Sequence, residues 1–597
     1  MKKKKVKNKR FFITGLVFSL LFIVLMGRLL YITGVKGAQY KEYAEGQWTR
    51  TIEIAPKRGA IFDRNGSTLA ISMQSYRIDA DLMVLKAYLE DKKITDDKAA
   101  SELASALEMD KSKVEKILAS KDSKGKPLQF VSLKRQAEKK SADAVNSLKY
   151  KGMLISLDEV RYYPEGSFLS HVIGHTNLEG NGINGVEQSY NEILRGVPGR
   201  RILEADRTNN ELPNTEILLA QPVEGKDLTL TIDSRIQLVV ERVAKETLKE
   251  NSAKSVSITI MDPNNGEILA MANAPSYDPN KPEKAGKTSE EIQQSWNNPA
   301  VGALFEPGSI FKVITAAAGL QTDSVTEKDR FNSTGTMKVA NATIKNDRYE
   351  ANGILDLAGI IQHSDNIGFV QLGQKIGKDK LYEFIRNIGF GQKTGVDLPG
   401  EGVGLVTPLK NIGPVELATM SYGQGVAVTQ VQYLAAFNAI ANGGTWIKPH
   451  VMKEISHTAE DKKIVEKKYE DTNNKTIMDK DKAAQLRTYL EQVVNKGTAT
   501  ATFMEGYHIA GKTGTANKVD TNNGRYESGK YVSSFAGMAP SNNPKVTLIV
   551  TVTEPDPEKY YASQTAVPAA QKLFKELFTI LNISPDDAEA SDGKKSN

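Results

Sequence analysis

One stretch of this sequence is apolar enough to dictate its own environment. Phe11 to Gly27 is a run of 17 residues without a charge, rich in Phe, Leu, Ile and Val. Arg28 interrupts it and Leu29-Leu30-Tyr31-Ile32 extends it. As a helix rising about 1.5 Å per residue, 11–32 would span roughly 33 Å, enough for a bilayer core with Arg28 reaching towards the interface. Seven basic side chains precede it with no acid among them: Lys2, Lys3, Lys4, Lys5, Lys7, Lys9 and Arg10. The positive-inside rule then holds residues 1–10 in the cytoplasm and sends everything after residue 33 across. No Ala-x-Ala-like site follows, so the run predicts an uncleaved 11–32 anchor in the cell membrane, single-pass, with the bulk of the chain extracytoplasmic.

The same tail explains the charge. There are 78 basic and 72 acidic side chains, a formal net charge of +6; without the seven in the tail the balance is −1. The body is therefore not basic, and no nucleic-acid partner is expected. With no cysteine, disulfide frameworks, thiolate metal sites and cysteine nucleophiles are excluded. The six histidines form no His-Glu-x-x-His pair, since Val172-Ile173-Gly174 separates His171 from His175, and no metal site is expected. Composition is otherwise globular, 40% hydrophobic and 25% charged, and 597 residues predict about three or four domains.

From 34 to 225 the pattern is mixed α/β. Thr51-Ile52-Glu53-Ile54-Ala55 alternates as a strand, Asp63-Arg64-Asn65-Gly66 signals a turn, and 84–150 is polar and helical in pattern. Nothing in this half carries chemistry, which favours a scaffold or docking role. From 226 to 582, a strand at 228–232 and a helix at 236–249 precede a hairpin of 257–261 with 267–271 around Asp262-Pro263-Asn264-Asn265-Gly266. Helical stretches dominate 309–390 and 408–441. Strands return at 505–517, 531–539 and 545–553, and a helix closes at 565–581. Strands, helices, strands and a closing helix predict an antiparallel sheet flanked by helices, an α+β arrangement. The polar tail 583–597 is expected to be disordered.

Three short motifs lie in the second half: Ser309-Ile310-Phe311-Lys312, Ser364-Asp365-Asn366 and Lys512-Thr513-Gly514. Singly each is weak, because the chain repeats them. Ser-x-x-Lys recurs at Ser123 and Ser591, Ser-x-Asn at Ser189, Ser295 and Ser541, and Lys-Thr-Gly at Lys393. Local context chooses among the copies. Ser309 follows Glu306-Pro307-Gly308 and opens an apolar helical run, where free backbone N–H groups and the positive dipole end can hold an oxyanion. Lys312 lies one turn on, so its amine can meet the Ser309 hydroxyl, provided burial keeps that amine neutral. The plainer reading is a capping serine with a solvated lysine. Lys512-Thr513-Gly514-Thr515 follows small residues on an alternating strand, whereas Lys393-Thr394-Gly395 runs into a turn. Ser364 offers a hydroxyl for proton relay and Asn366 an amide for a substrate carbonyl, against a simple helix cap.

The ordered triple resembles the transpeptidase domain of penicillin-binding proteins. The rest of the chain resembles their class B, monofunctional and membrane-anchored, of the division and sporulation type. Arg58-Gly59-Ala60-Ile61-Phe62-Asp63-Arg64-Asn65-Gly66, Gly182-Ile183-Asn184-Gly185-Val186-Glu187, Gly423-Gln424-Gly425 and Gly497-Thr498-Ala499 carry that likeness. Ile310 departs from it, where the family often has threonine. The resemblance implies a multidomain α+β protein: an anchor, an elongated pedestal domain over 34–225, and a serine β-lactamase-like transpeptidase domain over 226–582. It implies that Ser309 attacks the bond between two terminal D-alanines of a peptidoglycan stem peptide, that Lys312 takes its proton, and that Ser364 and Asn366 assist. Lys512, Thr513, Gly514 and Thr515 would bind the substrate's terminal carboxylate and carbonyl. No cofactor is implied; β-lactams would acylate the same serine, and a polytopic glycosyltransferase is an expected partner. A membrane-bound β-lactamase would need a base for deacylation, and the nearest candidate, Glu383 in Glu383-Phe384-Ile385-Arg386-Asn387, reads as an ordinary helix residue. A β-lactam sensor would need a cytoplasmic signalling domain, for which ten residues leave no room.

Overall fold

The computed structural model describes residues 2–40, 49–123, 125, 128–204, 217–460, 462–470, 474–519 and 525–585; the expected polar tail lies outside them beyond 585. Contacts gather the chain into two bodies, 1–57 with 196–225, and 58–195 with 226–597.

The first body holds the helix Lys2–Gly34, which runs past both ends of the expected 11–32 segment. Its Lys9–Gly34 part is long and apolar enough to cross a membrane. The alternation at 51–55 does form a strand, Thr49–Ile54, and its partner is remote in sequence. Gly199–Glu204 runs antiparallel to it, from Thr49↔Glu204 to Ile54↔Gly199, with Ile217–Ala220 beyond.

In the second body, one sheet ties the first half of the chain to the second. The strand Ile61–Phe62 pairs antiparallel with Thr68–Asp81 and parallel with Asp227–Leu230, which pairs in turn with Met452–Ala459. Thr68–Asp81 also carries Phe130–Ala137 and, over ten register positions, Met153–Tyr162. Helices Leu82–Asp91, Asp96–Leu107 and Lys111–Leu118 close a small core of Leu82, Leu85, Leu103, Leu107 and Val114 beside it. The helical reading of 84–150 thus needs one correction. Phe130–Ala137 is a strand, and its first four residues alternate exposed and buried, a period-2 signal too short to stand out among polar neighbours.

The larger lobe is built on a five-stranded antiparallel sheet in the order 268–274, 255–261, 546–553, 526–539, 510–519. The hairpin expected at 257–271 is its first pair. The helix Gln430–Ala441 is buried along its whole length against one face, where Gln430 bonds Thr259 and Thr551, and Asn438 meets Thr547. The pleat turns Val256, Ile258 and Ile260 the other way, towards the helices Ser234–Glu250 and Ala566–Ile580. The expected dominance of helix over 309–390 fails at 331–355, where two small hairpins form: Phe331–Ser333 with Gly353–Leu355, and Thr336–Val339 with Ala342–Lys345.

Candidate active site

Ser309 does not open an α-helix directly. It sits in a 3-10 turn, Gly308–Phe311, that runs into the helix Lys312–Gln321. Two glycines set this turn. Gly308 has φ +51°, and its N–H donates to the Gly423 carbonyl at 3.1 Å. Gly423, at φ +89°, lies so close that a Cβ would stand 2.1 Å from the Gly308 oxygen, so no side chain fits there. The Tyr433 hydroxyl donates to the Ile310 carbonyl at 2.7 Å and holds the turn from below. Ser309 is left half-buried, and among the described residues its hydroxyl has no hydrogen-bond partner.

The expected contact between Lys312 and Ser309 is accordingly not made. The Lys312 amine, fully buried, donates instead to the Ser364 carbonyl at 2.6 Å and the Asn366 Oδ1 at 2.6 Å, with the Ser364 Oγ 3.2 Å away. Ser364 can present both oxygens because its backbone is left-handed, φ +55°, an uncommon conformation for a non-glycine residue. The helix-cap reading of Ser364-Asp365-Asn366 turns out to belong to the middle residue. Asp365 caps the helix Asn366–Ile376 by accepting from the Gly368 N–H at 2.7 Å, which leaves Ser364 and Asn366 free to face the lysine. The Asn366 amide nitrogen donates to the Lys345 carbonyl at 2.8 Å.

Lys512 enters from the strand Ala510–Val519, the edge of the five-stranded sheet. Its amine donates to the Ser364 Oγ at 2.9 Å and the Thr513 carbonyl at 3.1 Å, so one hydroxyl sits between two lysines. Thr513 shares a 2.6 Å hydrogen bond with Thr498 of the Gly497-Thr498-Ala499 segment. Gly514 lets this strand lie against the serine turn, since a Cβ there would meet the Pro307 carbonyl at 2.8 Å and Ile310 at 3.0 Å. The departure at Ile310 is thus a packing matter beneath Gly514.

Burial and the repulsion of Lys512 hold the Lys312 amine well below the ordinary lysine range, with Asp365 and Asp347 pulling the other way. Burial lowers Lys512 to about 7. A neutral amine is a base and a cationic one an anion anchor, and this pair can supply both.

The repeated motifs are elsewhere. Lys393 is exposed on a loop whose Thr394 and Gly395 N–H groups are tied to Glu401. Ser123 lies in a turn and its Lys126 outside the described residues, as do Ser591 and Lys594. Asn191 of the Ser189 copy accepts from Arg58 and the Gly182 N–H. Glu383 is exposed on the helix Lys378–Asn387, with Leu381, Phe384 and Ile385 buried behind it.

Reading the sequence missed three parts of the site. One is the ring of donors around Asp365, supplied by the 331–355 hairpins. Another is a stack of Tyr531, Tyr560 and Tyr561, with ring centroids 3.8 and 4.5 Å apart, whose next residue, Ala562, donates its N–H to the Thr515 Oγ1 at 3.1 Å. The third is Glu306, which accepts from the Gly425 N–H at 2.8 Å and the Tyr526 hydroxyl at 3.0 Å. The Tyr560-Tyr561 pair in a polar loop was a readable signal; the others come from distant segments with no local pattern.

Known proteins resemble this chain in sequence and in fold. The family described as "Penicillin binding protein transpeptidase domain" matches residues 256–576, and "Penicillin-binding Protein dimerisation domain" matches 53–230. Stage V sporulation protein D of Bacillus subtilis is 33% identical over 97% of this chain and 86% of its own length. Peptidoglycan D,D-transpeptidase FtsI of Escherichia coli is 30% identical over 95% of this chain and 91% of its own. Among solved structures, a peptidoglycan synthetase from Bifidobacterium adolescentis superposes with a TM-score of 0.70 at 26% identity, covering 90% of this chain and 97% of that one. Penicillin Binding Protein 2X from Streptococcus thermophilus gives 0.68 at 26%, covering 92% and 82%. With a transpeptidase domain across more than half its length, a dimerisation domain before it and relatives along almost the whole chain, this protein belongs to the class B penicillin-binding proteins, of the division and sporulation type.

Proposed function

We propose that Ser309 is the nucleophile with which this penicillin-binding D,D-transpeptidase cross-links peptidoglycan. Its Oγ attacks the carbonyl between two terminal D-alanines of a stem peptide and passes its proton to the neutral Lys312 amine. Backbone N–H groups of Ser309 and Thr515 take the oxyanion, a contribution of about 2.7–4 kcal/mol per donor in such sites. Lys512, as a cation with Thr513 and Thr515, holds the terminal carboxylate, Gly514 lets the substrate backbone come close, and the Asn366 amide holds a substrate carbonyl. The proton returns through Ser364, which already bridges both lysines, to the nitrogen of the departing D-alanine. An amine of a second stem then attacks the acyl ester, gives its surplus proton back through Lys312, and leaves a new amide with Ser309 restored.

The observation that carries this reading is the fully buried, carboxylate-free Lys312 amine, held one turn from the serine. Residues 226–582 would do the chemistry and 34–225 serve as pedestal. The apolar helix would be a single-pass anchor with its lysines in the cytoplasm, leaving catalysis outside and within reach of a polytopic glycosyltransferase. Exposed Glu383 gives no support to a deacylating base, which favours a transpeptidase over a β-lactamase.

The test is covalent labelling. A fluorescent penicillin should mark the protein on Ser309 and stay bound for many minutes, and Ser309→Ala should abolish the label in a folded protein. An adduct mapped to another serine, or lost within seconds by turnover, would sink the assignment.

A further inference from the structure

Asp365 lies almost fully buried and accepts four hydrogen bonds from neutral donors. One oxygen takes the Gly368 N–H. The other takes the Ser333 hydroxyl, the Asn346 amide at 2.8 Å and the Asn352 amide at 2.8 Å. Asn346 also accepts from the Ile367 N–H at 3.1 Å, one residue beyond Asn366, and it donates to Ser333 at 3.0 Å. The three side-chain donors belong to the 331–355 hairpins, the same segment whose Lys345 carbonyl receives the Asn366 amide. A helix cap alone would need only the Gly368 bond.

On both sides of this carboxylate stand the residues that hold the Lys312 amine, the left-handed Ser364 and Asn366. A left-handed serine backbone persists only where its surroundings over-determine it. We propose that Asp365, clamped by Ser333, Asn346 and Asn352, is a positioning residue that sets the place and the electrostatic surroundings of Lys312 through its two neighbours, and that the 331–355 hairpins are its frame. The proposal rests on the reading of Lys312 as the base. Around that amine the charged groups are Lys512 from the edge strand, Asp365 from the helix start and Asp347 from the 3-10 turn Asp347–Tyr349, with the Phe369 ring 5.6 Å away.

Geometry and charge separate in a pH profile. Asp365→Asn removes one of the two anions facing Lys312 and sets an amide against two amide donors. The plateau rate of penicillin acylation should fall by one to two orders of magnitude, in line with the roughly 10²-fold loss that small misplacements cause. Its rising limb should also move to lower pH, because the lysine loses an anion that favours its charged form. Asn352→Ala, a half-buried change that keeps the carboxylate, should lower the plateau while leaving the limb in place. Either variant acylating with the wild-type plateau, or Asp365→Asn losing rate with its limb unmoved, overturns the proposal; if Asp365→Asn does not fold, Asn352→Ala alone decides. Lys312→Ala is run in parallel. Wild-type labelling of that variant would remove the base reading itself, whereas an inactive Lys312→Ala beside a normal Asp365→Asn removes only the role of Asp365.

Discussion

Two lysine amines are buried here with no carboxylate touching either among the described residues, a costly arrangement unless their charge is needed only at a chosen moment. Lys512, at about 7, is the one whose charge a substrate carboxylate would restore. If the cation anchors that carboxylate, second-order acylation by penicillin should decline as pH rises above about 7. Lys512→Ala should be slower by on the order of 10- to 100-fold, the worth of a hydrogen bond to a charged group, and should lose that decline. Lys393→Ala should match the wild type in rate and profile. The sign for stability is opposite to that of a salt-bridged lysine. The unfolded chain, with an ordinary lysine near 10.4, binds the extra proton between about 7 and 10.4, so this group's effect on stability improves as pH climbs through that window. Stopped-flow acylation and denaturation midpoints across pH 6–10 read the two separately.

Among the elements, two sequence signatures from the first half of the chain meet at one buried carboxylate. Glu187, with no exposure, lies between Arg58 at 2.7 Å and Arg161 at 2.6 Å, and the two guanidiniums also reach the Gly180 and Gly59 carbonyls. Burial alone would raise this carboxyl, but Arg161 and Arg58 outweigh it and keep it below its ordinary 4.5. Their contribution is complete above about 4.5 and is lost as acid titrates the group below it. Glu187→Ala leaves two buried cations unpaired and should destabilise by about 3–5 kcal/mol, seen as a lower urea midpoint, with Ser309 still labelled at permissive temperature. A wild-type midpoint would mean that the arginines find other partners.

The same level shows what could be read in the sequence. Apolar runs and turn residues located the hairpin at 257–271 and the last of the three later strands closely, while the other two begin at Ala510 and Tyr526, away from the expected 505 and 531. The 331–355 hairpins, the pairing of Glu187 with two arginines and the ring around Asp365 were not legible. Their strands are three or four residues long, and their polar side chains act through partners that only the fold supplies. Ser309, Lys312, Ser364, Asn366 and Lys512 were legible as motifs, while the hand-off of the Lys312 amine to Ser364 depends on a backbone angle that no motif encodes.

For the whole molecule, the apolar helix and the catalytic lobe make separable demands. A chain beginning at Val35 should stay in solution without detergent and take up penicillin at the full-length rate, since no residue of the site precedes Glu306. Labelling no better than Ser309→Ala would assign the membrane a part in shaping the site.

The sheet that joins Thr68–Asp81 to Ile61–Phe62 and on to Asp227–Leu230 has a mechanical meaning. A lobe tethered by a loop can swing without disturbing what lies beyond the tether. Here successive backbone ladders link the outer strands to the strand that feeds the helix Ser234–Glu250 beneath the catalytic sheet. A load applied at the outer strands therefore travels through hydrogen bonds in series from ladder to ladder before it reaches that helix.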